Sequence, residues 1–172
     1  MRRVAGAEQT FSSFRSRAIA LAVAEVPLEA RAELLKLGTE YDFYRIASFT
    51  GGEIKDAPGL GLLDYTDLPA INVDEAAAGS WSWNGKTVTH DPIVSVRVES
   101  TAGSGDAHLS GIIAGLAAGL SLSEAQQLGT LLAAASATSP YTINRCISRK
   151  MLLMPAEQKI SLSPSVLKLL QG

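Results

Sequence analysis

The sequence predicts an α/β fold, and three features of the chain support this class. Helix-like and strand-like patterns alternate through the first half, a glycine-rich turn at Gly103–Gly105 joins a predicted strand to a predicted helix, and the last third has a helical pattern. With 172 residues, 47% of them hydrophobic and 19% charged, the chain has the size and composition of one globular domain. We therefore expect residues 1–172 to form a single domain.

Two helices are predicted near the start of the chain. Apolar residues at helical spacing predict a helix from Glu8 to Val26, of which Ala18–Ala24 forms the buried side. A second helix is predicted over Leu28–Leu37, and Gly38 is the residue that would adopt a left-handed conformation at its end.

Two strands with a helical turn between them are predicted next. Phe43–Ser48 and Leu68–Val73 carry strand patterns, and a short helix is expected around Glu53–Ala57. A strand, a helix and a second strand at this spacing indicate a parallel βαβ unit.

A hairpin and a further strand are predicted in the middle of the chain. Ser80–Trp83 and Lys86–Thr89 both alternate, and Asn84–Gly85 between them is a strong hairpin-turn signal. Ile93–Val98 also alternates between apolar and polar residues and is predicted to be a strand.

The last third contains two strongly predicted helices. Asp106–Gly119 is rich in Ala, Leu and Ile and ends at a glycine, and Leu122–Ser136 follows. Ser121 and Glu124 form the pattern of a capping box before the second helix, which Ser139–Pro140 ends.

Charge and cysteine content exclude several functional classes. Lys and Arg total 15 against 17 Asp and Glu, so the chain lacks the basic excess of a nucleic-acid binder. Cys146 is the single cysteine, which rules out an intrachain disulfide framework and indicates the cytoplasm. The charge-free segments Leu109–Ser123 and Ala125–Asn144 are too short or too polar to cross a bilayer. Gly111, Gly115 and Gly119 recur every four residues and indicate close packing of a buried helix.

The segment Ser100–Asp106 has the physical properties of an anion-binding turn. The first turn of a helix leaves backbone N–H groups without partners, and the helix dipole concentrates positive potential there. Because Gly103 and Gly105 have no Cβ atom, a phosphate group can approach the backbone closely. We therefore predict that the backbone amides from Ala102 to Gly105 bind a phosphate.

Asp106 follows this turn directly, and two interpretations of it remain open at this point. As a proton acceptor, it would deprotonate an alcohol that attacks a phosphoryl group held by the turn. As a purely structural residue, it would cap its helix, since Asp favours that position.

The segment from Ser100 to Gly111 resembles the C-terminal signature of the ribokinase/PfkB carbohydrate kinases, in which a Gly-Ala-Gly-Asp sequence opens a helix. The resemblance implies a ribokinase-like three-layer core with a partly parallel sheet, ATP as co-substrate, Mg²⁺ and a carbohydrate acceptor. It implies that Asp106 is the catalytic base. The anion hole that it implies consists of Ala102, Gly103, Ser104 and Gly105.

Three other stretches are similar to the same family. Asn72 and Glu75 match the pattern N-x-x-E, which implies that they organise Mg²⁺ and phosphate without a direct protein–metal cluster. Gly79–Trp81 is similar to a Gly-Ser turn near the nucleotide. Thr101 and Asn144 are implied as nucleotide contacts, Asn144 in a loop similar to the one beside the adenine pocket.

The resemblance covers residues 25–170 and only the C-terminal, nucleotide-binding half of the family's fold. We expect the lid and the N-terminal half to be absent, and an internal deletion near Ala78–Gly79. The chain is therefore predicted to be an ATP-dependent carbohydrate kinase. The alternative is a truncated, catalytically weak module that binds ADP or ATP or another protein. A homo-oligomer or a complementing chain would complete the site.

Overall fold

The computed structural model describes residues 7–14, 18–50, 52–53, 56–72, 80–83, 88–157 and 161–172. The chain divides into two compact units, Met1–Asp74 and Glu75–Gly172. The helices and strands, in chain order, are α1 (Ala7–Phe14), β1 (Ile19–Ala22), α2 (Leu28–Glu40), β2 (Tyr44–Thr50), a short 3₁₀ helix (Leu63–Tyr65), β3 (Leu68–Asn72), β4 (Ser80–Trp83), β5 (Val88–Asp91), α3 (Ser104–Ala117), α4 (Leu122–Ala137), α5 (Arg149–Glu157) and α6 (Pro164–Gln171).

The first unit contains a parallel sheet with the strand order β1-β2-β3. Ile19 pairs with Tyr44 at the start of the sheet, and Thr50 pairs with Asn72 at its carboxyl end. The predicted parallel connection between the second and third strands is confirmed. In the segment where a helix was expected around Glu53–Ala57, Ala57 N donates to Glu53 O at 3.1 Å. Residues 54 and 55 lie outside the described residues.

The predicted helix from Glu8 to Val26 is present as far as Phe14 and is wrong from Ile19 onward, while residues 15–17 lie outside the described residues. Ile19–Ala22 is instead the strand β1, and its residues alternate between half-buried and buried. Ala20 and Ala22, at 5% and 2% exposure, face the core while the strand pairs with β2. Alanine favours helices in isolation, but the ladder with a neighbouring strand overrides that preference here.

The predicted left-handed cap at Gly38 is also wrong, because α2 continues through it to Glu40. The residue with positive φ after the helix is Asp42, at 57°. A Cβ atom at Gly38 would lie 3.2 Å from Ala20 Cβ and 3.0 Å from Arg45 Cγ. The glycine therefore serves the close packing of α2 on β1 and β2.

A buried arginine supports the loop that follows β2. Arg31 is 1% exposed, donates from Nη1 to Ser48 O at 2.8 Å and forms an ion pair with Glu53. Thr50 N donates to the second carboxylate oxygen of Glu53 at 2.9 Å. The bond from Thr50, followed by the one from Arg31, lowers the pKa of Glu53.

The second unit begins with the predicted hairpin, which is confirmed as the antiparallel pair β4-β5. Ser80 pairs with Asp91 and Trp83 with Val88, while the predicted Asn84–Gly85 turn lies outside the described residues.

The two central helices of this unit pack at very short range. A Cβ atom at Gly111 would lie 2.6 Å from Gly129 Cα, and one at Gly115 would lie 2.8 Å from Ala125 Cα. These contacts confirm the predicted close packing at Gly111 and Gly115. At Gly119 the prediction is wrong, because a Cβ atom there would meet nothing within 4 Å and the residue ends the helix with positive φ. The capping box before α4 is confirmed as well, since Ser121 N donates to Glu124 Oε2 at 2.9 Å and Ser121 Oγ accepts from Glu124 N.

The prediction of a strand over Ile93–Val98 is wrong, because this segment joins neither of the sheets found in the described residues. The alternation of apolar and polar residues nevertheless matches their burial. Val94 is buried and Val96 partly buried against the core of the second unit, while Arg97 is exposed. A β-strand requires a neighbouring strand to pair with as well as a buried face. The sequence pattern indicates the buried face but not the neighbouring strand.

No helix in the described parts of the chain has both the length and the apolar character needed to cross a membrane.

Candidate anion-binding site

The turn before α3 has a backbone that requires glycine. Gly103 is the N-cap residue of α3, with φ 80° and ψ −3°, which is the left-handed region. A Cβ atom there would lie 2.1 Å from Thr142 O, so the loop after α4 packs directly against the turn. Conformation and space therefore both disfavour any other residue at this position.

Three of the four amide groups from Gly103 to Asp106, at the start of α3, have no acceptor within the described part of the chain. These are the N–H groups of Gly103, Gly105 and Asp106, with Ser104 between them. A Cβ atom at Gly105 would meet no other atom within 4 Å, and the residue is exposed. A ligand can therefore reach the free amides from solvent. The Asp106 amide was not predicted, although its place in the first helical turn implies a free donor.

The other two amides of the predicted anion hole are engaged locally. Ala102 N donates to Ser100 Oγ at 3.2 Å, and Ser104 N donates to Thr101 O at 3.1 Å. The hydroxyl of Ser100 is on a surface side chain that can rotate away, whereas the bond to Thr101 O belongs to the backbone of the turn.

The Asp106 side chain is available for chemistry. It is exposed, and its carboxylate makes no hydrogen bond or ion pair among the described residues. The N-cap position belongs to Gly103, and α3 has no side-chain cap hydrogen bond. Asp106 therefore does not cap its own helix. As a charge in the first turn it still interacts favourably with the helix dipole.

Two polar side chains lie beneath the turn on the inner side of α3. Ser104 Oγ and His108 Nε2 are buried, and neither has a hydrogen-bond partner in the part of the chain described here. Burial lowers the pKa of His108, which favours the neutral imidazole. A Cβ atom at Gly129 would lie 2.7 Å from His108 O, so α4 supports the helix directly behind the site.

Asn144 has a role that the resemblance did not imply. Its Nδ2 donates to Ala135 O at 2.8 Å, and its Oδ1 accepts from Cys146 N at 3.0 Å. Both ends of the side chain therefore fix the loop that carries Thr142, while Tyr141 is 74% exposed. Asn144 positions the loop that packs on Gly103.

The predicted Mg²⁺ and phosphate residues belong to a different part of the chain. Asn72 is the last residue of β3 in the first unit. Glu75, like the expected deletion near residues 78–79, lies outside the described residues. Among the residues that the structure describes, no group of three or more His, Cys, Asp and Glu side chains could hold a metal ion.

A comparison with protein families gives one match. The sequence profile of the pfkB family carbohydrate kinases matches residues 65–150, which is half of the 172-residue chain and includes the glycine turn. No curated protein matches the chain in sequence.

Several solved structures share the fold. Ribokinase from Thermotoga maritima superposes with a TM-score of 0.68 at 17% identity, covering 87% of this chain and 59% of the ribokinase. Phosphofructokinase-2 from Escherichia coli in complex with potassium gives 0.67 at 15% identity, covering 91% and 62%. The Methanocaldococcus jannaschii nucleoside kinase, an archaeal member of the ribokinase family, gives 0.57 at 16% identity, covering 74% and 44%. The chain therefore spans less than two thirds of each of these proteins and has a ribokinase-like fold.

Proposed function

The chain belongs to the pfkB family of carbohydrate kinases, and on that premise we propose that it transfers the terminal phosphoryl group of ATP to a sugar hydroxyl. One observation carries the proposal. The free amides of Gly103 and Gly105 stand beside an exposed, unpaired carboxylate, that of Asp106, at the N-terminus of α3. An anion site alone has no use for a carboxylate that repels its ligand, whereas phosphoryl transfer to an alcohol needs a base there.

The anion hole is the first component of the proposed mechanism. The amides of Gly103, Gly105 and Asp106 donate to the oxygens of the transferring phosphoryl group, whose negative charge they offset without reorganising. The Ala102 amide joins them when a phosphate oxygen replaces Ser100 Oγ as its acceptor. The Ser104 N–H does not donate to the phosphoryl group, because it donates to Thr101 O and so helps to form the turn.

The base is the second component. As the sugar oxygen attacks the terminal phosphorus, its proton passes to the Asp106 carboxylate, the bond to the bridging oxygen breaks, and ADP leaves with that electron pair. Water-mediated or direct access to Asp106 is required, and the exposed side chain meets that requirement. Thr101, also exposed, is proposed as a nucleotide contact, and Asn144 acts on the nucleotide through the loop that it fixes.

The proposal includes Mg²⁺ because two of the predicted site residues have side-chain oxygen atoms that can act as ligands. The ion favours oxygen ligands and keeps several waters, which suits one amide and one carboxylate, those of Asn72 and Glu75, together with phosphate oxygens. When bound, Mg²⁺ neutralises charge on the phosphate groups.

A second candidate function is the module that the sequence leaves as the alternative. The chain spans between 44% and 62% of the three solved structures described above. The alternative to the kinase is a nucleotide-binding or interaction module that works with another chain or as a homo-oligomer. The kinase proposal places the protein in the cytoplasm, where ATP is supplied.

Sugar-dependent release of ADP from Mg-ATP, measured with a panel of monosaccharides, tests the kinase; saturable ATP binding without such release supports the module.

Replacing Gly105 separates folding from phosphate binding. We expect Gly105→Ala to raise the free energy of unfolding by up to about 1 kcal/mol, because Ala favours helices and its Cβ meets open space. The same methyl group occupies the approach to the free amides, so the affinity for Mg-ATP should fall by about tenfold or more, and Gly105→Val should weaken it further.

Isothermal titration calorimetry and urea unfolding measure the two effects on the same preparation. Gly52→Ala is the matched control, since a Cβ at Gly52 also meets nothing within 4 Å but lies outside the turn. Equal ATP affinity for Gly105→Ala and wild type would remove these amides from the site.

A further inference from the structure

A cavity of about 300 Å³ lies in the second unit, and neither the glycine turn nor α3 contributes to its lining among the described residues. Its walls come from the segment after β5, from α4 and from the residues before α6. They are mainly apolar and include the side chains of Ile93, Val94, Leu131 and Leu162. The volume is at the lower end of the range of small-molecule sites, and such walls suit a ligand with an apolar body.

Asp91 carries the one charged group among the described residues that line this cavity. Its carboxylate accepts no hydrogen bond from the part of the chain that the structure describes, and Oδ2 is shielded from solvent. Burial raises the pKa of the Asp91 carboxyl, an effect that nearby His90 opposes. A partly buried carboxylate without a donor is unfavourable, so a ligand that brings a positive charge and N–H donors to it is favoured.

The other polar side chains of the lining are uncharged. Thr130 Oγ1 donates to Gln126 O at 3.1 Å, so a lone pair of the hydroxyl remains available to a donor. No Lys or Arg lines the cavity within the described ranges, so an anionic ligand would have no counter-charge there. A primary ammonium group has three N–H donors and no acceptor, which matches a carboxylate and a hydroxyl oxygen in one wall.

The wall that carries Asp91 is fixed to α4. Ser80 pairs with Asp91 across the hairpin, so the two side chains lie on the same face. Ser80 Oγ accepts from Gln126 Nε2 at 2.8 Å and lies 3.2 Å from Thr130 Oγ1. Because this network holds both acceptors in place before a ligand arrives, little ordering is needed when one binds.

We propose that this cavity is a second ligand site of the protein, which binds a small organic cation with an apolar body and a primary ammonium group. The ammonium N–H groups donate to the Asp91 carboxylate and to Thr130 Oγ1, while the apolar body contacts Val94 and Leu131. The site goes beyond the kinase function and does not depend on it, since the cavity and the glycine turn share no lining residue within the described parts of the chain.

Two probes of matched shape, 2-phenylethylamine and 2-phenylethanol, test the assignment, because only the amine is positively charged at neutral pH. Molecules of this size are expected to bind in the millimolar range, which NMR titration measures. Both should shift the methyl resonances of Val94, Leu131 and Leu162 in ¹³C-labelled wild-type protein. The amine should bind at least about tenfold more tightly than the alcohol, because it forms a charge-assisted hydrogen bond.

Two substitutions separate the charge from the apolar contact. Asp91→Asn should lower the affinity for the amine by about tenfold and change that for the alcohol by less than about twofold. Ile93→Ala shortens the apolar wall at an exposed position and should weaken both probes to the same extent. Glu99→Gln is the matched control, since this carboxylate pairs with exposed Arg97 outside the cavity, and it should behave as wild type. Circular dichroism checks that each variant folds.

Three results would overturn the site. These are equal affinities of wild type for the amine and the alcohol, an unchanged affinity ratio in folded Asp91→Asn, and failure of the amine to shift the Val94 and Leu131 methyl resonances of folded wild type. Since the glycine turn takes no part in the titration, each of these results leaves the proposed kinase function in place. Absence of phosphoryl transfer would in the same way leave this site in place.

Discussion

Asp106→Asn is expected to abolish nearly all phosphoryl transfer while nucleotide binding is kept or improved. The amide cannot accept the proton of the attacking hydroxyl, and loss of a general base typically lowers kcat by about 10²- to 10⁴-fold. The substitution also removes a negative charge next to the phosphate, so the Kd for Mg-ATP should stay the same or decrease. Because Asp106 makes no hydrogen bond within the described residues, the fold should be unaffected.

Transfer rates and ATP affinities of wild type, Asp106→Asn and Glu99→Gln give the comparison that is needed. Glu99→Gln removes one exposed carboxylate from the same unit and should leave both quantities unchanged. Unaltered transfer by Asp106→Asn would remove Asp106 from the mechanism. Loss of ATP binding in that variant would show that the Asp106 carboxylate is needed to bind the nucleotide rather than to accept the proton.

Gly103→Ala is expected to have the largest effect on the structure of the site. The left-handed conformation costs a non-glycine residue about 1–2 kcal/mol, and the new Cβ would overlap Thr142 O at 2.1 Å. Relief of that overlap requires the turn or the loop to move, which adds about 1–3 kcal/mol. The free energy of unfolding should therefore fall by about 2–5 kcal/mol, and ATP affinity should fall with it.

Gly119→Ala separates the two contributions. Gly119 also has positive φ, at 84°, but a Cβ there would meet nothing within 4 Å. This variant should lose only the conformational part, about 1–2 kcal/mol, and retain ATP affinity. Urea unfolding measures both variants; equal destabilisation would mean that the contact between the turn and Thr142 contributes nothing.

Local chemistry made the site predictable from the sequence. The glycine turn, the start of α3 after Gly103 and the capping box of Ser121 depend on residues close in sequence, and each appears as predicted or within a few residues. The parallel pairing of β2 and β3 was predictable because two strand patterns flank a short connection. The family resemblance supplied the roles proposed for the turn and for Asp106, which the residues alone left open.

Long-range packing accounts for the errors. Ile19–Ala22 has a helical composition but forms a strand, because it pairs with β2. Gly38 fits the pattern of a helix cap, but in the structure it allows α2 to pack closely on the sheet. Ile93–Val98 has a strand pattern without a partner in the described residues. The structural role of Asn144 was not predicted, because it depends on a bond to Ala135, nine residues earlier, that no local pattern indicates. Its predicted contact with the nucleotide stays a prediction.

Amide chemical shifts of ¹⁵N-labelled protein give the most direct test of whether the turn holds a phosphoryl group. Titration with Mg-ATP is expected to shift the resonances of Gly103, Gly105 and Asp106 along one saturable curve, because their N–H groups gain acceptors that they lack in the free protein. Gly52 and Gly119 should not move. If the three resonances stay in place while ATP binds, or if they shift no more than those two glycines, the phosphate lies elsewhere.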